Sequence, residues 1–124
     1  MKHDVRKYLT DVLEAIELIR IHVAGINDLT AYKANVTVKD AVVRRLTIIG
    51  EALYQTRKQD RNIAINHKEN IIGLRHILVH DYDIVEDKLI WSIVTTYLDP
   101  LYIEVEKFLT GEIQTDQSTE ISND

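Results

Sequence analysis

The chain has 124 residues, 45% of them hydrophobic, and a formal net charge of −5, which suits one domain with a single core. It has no cysteine, so disulfides, thiolate metal sites and a cysteine nucleophile are excluded. No apolar run reaches the roughly 18 residues of a membrane span, and the charged start Met1-Lys2-His3-Asp4 is not a secretory leader, so a cytoplasmic protein with no membrane association is expected.

The first helix is written by Val5, Leu9, Val12, Ile16, Ile19, Val23 and Ile26, whose alternating steps of four and three lay an apolar stripe down one face. Gly25 predicts its end near residue 24. A polar connection with one helical turn follows over 27–36. A second long helix is expected from Thr37, a capping hydroxyl with Asp40 three residues on. Its apolar face reads Val38, Val42, Leu46, Ile49 and Leu53, and Gly50 inside it predicts the close approach of another helix. Asn66 and Glu69 form a cap-like pair before Ile71, Ile72 and Leu74; Asp83 and Glu86 form another before Leu89, Ile90, Ile93, Val94 and Tyr97. Pro100 should kink or restart that last helix. The expected fold is all-α: an antiparallel four-helix up-down bundle over 1–109, with a short extra helical turn and a polar, disordered tail over 110–124.

The negative total argues against broad, non-specific nucleic-acid binding, yet the charge is uneven. Residues 1–62 carry 11 Lys+Arg against 8 Asp+Glu, and residues 63–124 carry 4 against 12. The first two long helices can therefore present a mildly basic surface, or simply two solvated faces.

The chemistry-bearing segment is Gly73-Leu74-Arg75-His76-Ile77-Leu78-Val79-His80-Asp81-Tyr82. Arginine is a permanent cation with a planar donor fork for phosphate, and histidine can move a proton near neutral pH. Arg75 and His80 are five residues apart, about 140° around a continuous helix. For them to act together, the helix must end near Val79 and turn His80 back, or the site must form between two copies of the chain. In a purely structural arrangement Arg75 pairs with Asp81 or a helix carboxylate and His80 caps the helix end. His76 and His80, four apart, could instead hold a metal with Asp83 or Glu86, but the di-metal Glu-x-x-His signature is absent. Tyr82 is either a packing residue or a group that receives a transferred substituent. No Walker loop, dinucleotide fingerprint or serine elbow is present.

These residues carry a resemblance. Arg75-x4-His80 followed by Tyr82 is similar to the ribonuclease motif of HEPN-domain proteins of the HepT type, the toxin half of HepT/MntA toxin-antitoxin pairs. Tyr8 to Ile16 resembles that family's opening helix, and Ala41 to Ala52, with its Ile49-Gly50-Glu51-Ala52 block, resembles its second. Trp91 and the Asp99-Pro100-Leu101 turn fall where its last helix would place them, so the resemblance spans about residues 5–109.

It implies a homodimer with a composite active site and metal-independent, cofactor-free endonucleolytic cleavage of RNA. Arg75 and His80 would be catalytic. A cognate MntA-like nucleotidyltransferase antitoxin would silence the toxin by AMPylation of Tyr82. A non-catalytic nucleotide- or RNA-binding HEPN module partnering such an enzyme is the alternative. The residue after the motif arginine is often asparagine in this family and is His76 here, an auxiliary candidate that leaves the acid and base assignments open. Glu51, from the Ile-Gly-Glu-Ala block, is a second auxiliary candidate, able to orient Arg75 or His80.

Overall fold

In the computed structural model, residues 3–66, 68–81 and 85–111 are described. Helix α1, His3–His22, buries Val5, Leu9, Val12, Ile16 and Ile19 along the predicted stripe. A short helix α2, Leu29–Ala34, starts at Asp28, whose carboxylate accepts the Ala31 N–H at 2.8 Å.

Helix α3 runs Val36–Gln59. Its cap is not Thr37, as the sequence suggested, but Asn35, whose side-chain oxygen accepts the Val38 N–H at 3.0 Å. Asn35 also ends α2, its own N–H bonding the Tyr32 carbonyl. One residue therefore serves both helix ends, and Thr37 is left inside the first turn of α3.

Helix α4, Lys68–Asp81, returns along α3. Arg57 of α3 pairs with Glu69 of α4, and Glu51 pairs with Arg75, so the helices run antiparallel. Glu69 thus faces α3 rather than completing a cap with Asn66. Helix α5, Asp87–Ser92, begins after Glu86, whose side chain makes no cap bond; Asp83, its expected partner, lies outside the described residues.

From Asp87 the chain stays helical to Thr110 through a wider π-helical segment, Ile93–Tyr97, into α6, Leu98–Thr110. Leu98 N–H bonds the Ile93 carbonyl five residues back. In a regular helix the Pro100 ring would meet the Thr96 carbonyl; the wide turn falls at that point, with Pro100 in the first turn of α6. The restart expected at Pro100 therefore takes the form of a π segment. Gly111, at φ +84°, closes α6 in the left-handed conformation. The tail expected to be disordered lies outside the described residues from 112 onward.

Helix α6 runs antiparallel to α1: Arg6 reaches the Leu109 carbonyl at one end, and Arg20 pairs with Asp99 at 2.8 Å at the other. The described residues are therefore all helical in their regular structure, and α1, α3, α4 and the α5–α6 run form the four long members of the bundle. Among them no helix is long and apolar enough to cross a membrane.

Candidate active site

Helix α4 does not stop at Val79. It continues through Asp81, so the backbone does not turn His80 back toward Arg75. The regular helix keeps the two side chains about 140° apart, and the structure places them in different surroundings. Arg75 faces α3, with its side chain 23% exposed; His80 is exposed on the outer side of the last turn.

Arg75 is held at the α3–α4 seam. Its Nη1 donates to Glu51 Oε1 at 3.2 Å, and its guanidinium lies 5.8 Å from the Tyr54 ring centre. Glu51 is held in turn by Gln55, whose Nε2 donates to Oε2 at 3.0 Å. Of the two roles suggested for Glu51, the structure brings it to Arg75. The Arg75 Nε–H is buried without a partner among the described residues.

Gly50 explains why Arg75 can sit there. A β-carbon at this position would collide with the β-carbon of Arg75 and lie 3.0 Å from the Ile71 carbonyl. The absence of a side chain lets α4 approach α3 closely enough to align Arg75 with Glu51.

His76 and His80 do come together. Their rings are 4.6 Å apart between centres and tilted by 54°, and both side chains are exposed. Gly73 and Ile77, four residues apart on one face of α4, line an apolar groove of about 740 Å³ against Leu89, Ile93 and Tyr97. Ile77 and Leu89, 39% and 50% exposed, flank it.

Tyr82 and Asp83 lie outside the described residues, as does the Asp81 side chain. Among the described residues, no group of three or more His, Cys, Asp or Glu is arranged to hold a metal ion.

One cluster was not picked out from the sequence. Tyr54, Arg57, Lys58 and Arg61 line a cavity at the end of α3 together with Lys68 and Glu69. Part of the signal was available: Tyr54, Arg57 and Lys58 are spaced i, i+3 and i+4 on one face of α3, and Arg61 follows two residues past its end.

The model of a family described as "Ribonuclease HepT-like" matches residues 12–108. A Methanocaldococcus jannaschii protein named "Putative RNase MJ1380" is 33% identical over 106 residues, 85% of this chain and 96% of that one. "Putative RNase TTE0752" of Caldanaerobacter subterraneus subsp. tengcongensis is 32% identical over 109 residues, 86% and 96% of the two chains. A longer M. jannaschii protein, "Gamma-glutamylcyclotransferase and putative RNase MJ0434", is 32% identical over 111 residues, which is 88% of this chain and 49% of that one. No solved structure matches.

Proposed function

This chain belongs to the HepT-like ribonuclease family, and from that premise we propose that it is a metal-independent RNA endonuclease, the toxin of a toxin-antitoxin pair, whose active site forms between two copies. The observation that carries the composite site is the unbroken course of α4. It keeps Arg75 at the α3 seam and His80 on the opposite, exposed side, so a second protomer is the simplest way to bring an arginine and a histidine to one phosphate. The apolar groove lined by half-exposed Ile77 and Leu89 offers the surface on which that second copy would sit.

The chemistry follows from the side chains. An imidazole takes the proton from a ribose 2′-hydroxyl, and the oxygen attacks the adjacent phosphorus. The bond to the 5′-oxygen breaks, a second protonated group delivers a proton to that oxygen, and a 2′,3′-cyclic phosphate remains. Arg75 neutralises the charge that builds on the non-bridging oxygens. His76, with its ring 4.6 Å from that of His80, supplies a second proton carrier within the same turn. Glu51 orients Arg75.

Control would act at Tyr82. Its phenol oxygen would attack the α-phosphorus of ATP on a partner nucleotidyltransferase, releasing pyrophosphate and leaving AMP two residues beyond His80. The added anion and bulk would repel RNA from the cleft.

Complementation tests the composite site. Arg75→Ala and His80→Ala proteins, each inactive alone, are unfolded together, refolded as a mixture and assayed on RNA in EDTA. If sites take Arg75 from one protomer and His80 from the other, mixed dimers hold one intact site, and the mixture recovers about a quarter of wild-type activity. No recovery means that both groups come from one protomer. Absence of cleavage by unmodified wild type in EDTA, with RNA still bound, would favour the non-catalytic binding module instead. Intact mass after incubation with the partner enzyme and ATP tests Tyr82: AMP-sized gains are expected, and are lost in Tyr82→Phe.

A further inference from the structure

The α3–α4 seam holds a second cationic feature that the cleavage chemistry does not use. A cavity of about 460 Å³ is lined by Tyr54, Arg57, Lys58, Arg61, Lys68 and Glu69. Four cations and one carboxylate share this concavity, in a chain whose total charge is −5. A local excess of positive charge against an acidic background focuses anions on one place.

The cluster is organised around Tyr54. Arg57 and Lys58 approach its ring at 5.4 and 5.5 Å, and Arg75 approaches the same ring at 5.8 Å. Each contact is weak, but together they tie the cavity to the arginine of the candidate active site through a single side chain. Arg57 is paired with Glu69, whereas Lys58 and Arg61 are exposed and have no carboxylate partner among the described residues. Lys68 is the most telling member. It is buried, at 9% exposure, and its ammonium donates to the Ile63 carbonyl at 3.1 Å, with no carboxylate paired to it among the described residues. A buried ammonium that is paired only with a carbonyl gains from an anion at the cavity.

We infer that this cavity is an accessory phosphate-binding subsite, which holds the RNA backbone next to the bond being cleaved. A strand whose scissile phosphate meets Arg75 would pass over Tyr54 and set a neighbouring phosphate among Lys58, Arg61 and Lys68. The inference rests on the proposed ribonuclease function for its ligand, but it concerns binding and not cleavage, so the two can fail separately.

The test uses full-length His80→Ala protein, which binds without cutting, and a fluorescein-labelled single-stranded RNA read by anisotropy across a KCl series. Adding Lys58→Ala and Arg61→Ala, both exposed positions, should weaken binding about tenfold. It should also flatten the slope of log Kd against log salt by about 0.7 per lost phosphate contact on a single strand. With His80 restored, the same double substitution should lower the ratio of kcat/KM for a long RNA to that for a dinucleoside phosphate by about tenfold. Tyr54→Leu should reproduce part of the loss and Tyr54→Phe should not, because the ring face is kept.

Unchanged affinity and salt slope in the double variant would overturn the subsite. So would inorganic phosphate or ATP binding as tightly as the RNA in a Lys58- and Arg61-dependent way, which would make the cavity a free-anion site. If wild type cleaves no RNA but the salt slope still flattens, the nuclease function fails and the subsite stands.

Discussion

Helices α1 and α4 are both amphipathic, and they are used in opposite ways. On α1, Val5, Leu9, Val12 and Ile16 are wholly buried, and polar groups bind it to α6 at both ends. On α4, Ile72 and Leu74 keep 8% exposure, while Ile77, Val79, His76 and His80 look outward. The first helix contributes burial and little else. The second has only one side committed to the core and carries the candidate chemistry on its seam and its outer face. Stability and function are therefore divided between elements, and substitutions should separate them.

The largest expected effect is on cleavage with no matching loss of stability. Arg75→Ala or His80→Ala should lower kcat/KM on RNA by about 10²- to 10⁴-fold, the usual scale for proton transfer and charge stabilisation. His80→Ala should leave the thermal midpoint unchanged, because that side chain is exposed. Leu9→Ala inverts the pattern. Truncating this wholly buried side chain should cost about 2–5 kcal/mol of folding stability, read by urea denaturation, with the cleavage rate of the remaining folded protein retained. If Leu9→Ala instead reduced catalysis selectively, the division between α1 and α4 would not hold.

This division also explains what could be read from the sequence. The α1 stripe was legible because periodicity within one helix fixes its buried face, and each residue from Val5 to Ile19 on that stripe is buried. The α3 cap was not. Asn35 and Thr37 are both capping residues, and only the end of α2 at Ala34 decides between them. On α4, spacing gave the angle between Arg75 and His80 correctly, but whether the helix stopped at Val79 depended on packing beyond that segment. The Glu51–Arg75 pair spans 24 residues of chain; Glu51 could be nominated from sequence, but its choice of Arg75 over His80 required the fold. The Tyr54, Arg57 and Lys58 side of the cavity was written as a helical face and overlooked, because charged residues at that spacing are usually just solvated; Arg61, past the end of α3, and Lys68 on α4 join it only through the fold.

A smaller effect is expected where the two kinds of helix meet. Gly50→Ala adds a methyl group against the Arg75 β-carbon and the Ile71 carbonyl, and the backbone carbonyl cannot swing aside. Relief of the glycine's helix penalty returns about 1 kcal/mol, whereas overpacking costs about 1–3 kcal/mol, so a modest net loss of stability is expected. Activity should fall further than stability does, because displacement of α4 misaligns Arg75 against Glu51. Paired measurements of thermal midpoint and kcat/KM check this. A stabilised, fully active Gly50→Ala protein would show that close approach of the helices does not set the position of Arg75.

The smallest effect belongs to the scaffold, at the α2–α5 contact. Tyr32 is wholly buried, its ring is stacked on Trp91 at 5.3 Å, and its hydroxyl has no partner among the described residues. Burial, reinforced by Asp87 and Asp40, raises its ionisation well above the ordinary value of 10.0. The folded state therefore keeps the phenol proton at pH values where the unfolded chain releases it. The stability tied to that proton is fully present below about pH 10 and is lost as the pH rises beyond it. Tyr32→Phe should change neutral-pH stability by less than about 1 kcal/mol, since no hydrogen bond to a described residue is lost, and should reduce the alkaline fall in denaturation midpoint. Tyr97, raised in the same direction by burial and Glu104, would still contribute, so the alkaline limb should shrink and not vanish. Cleavage at neutral pH should be untouched, because the Tyr32 ring stacks on Trp91 and its hydroxyl bonds none of the described candidate catalytic groups.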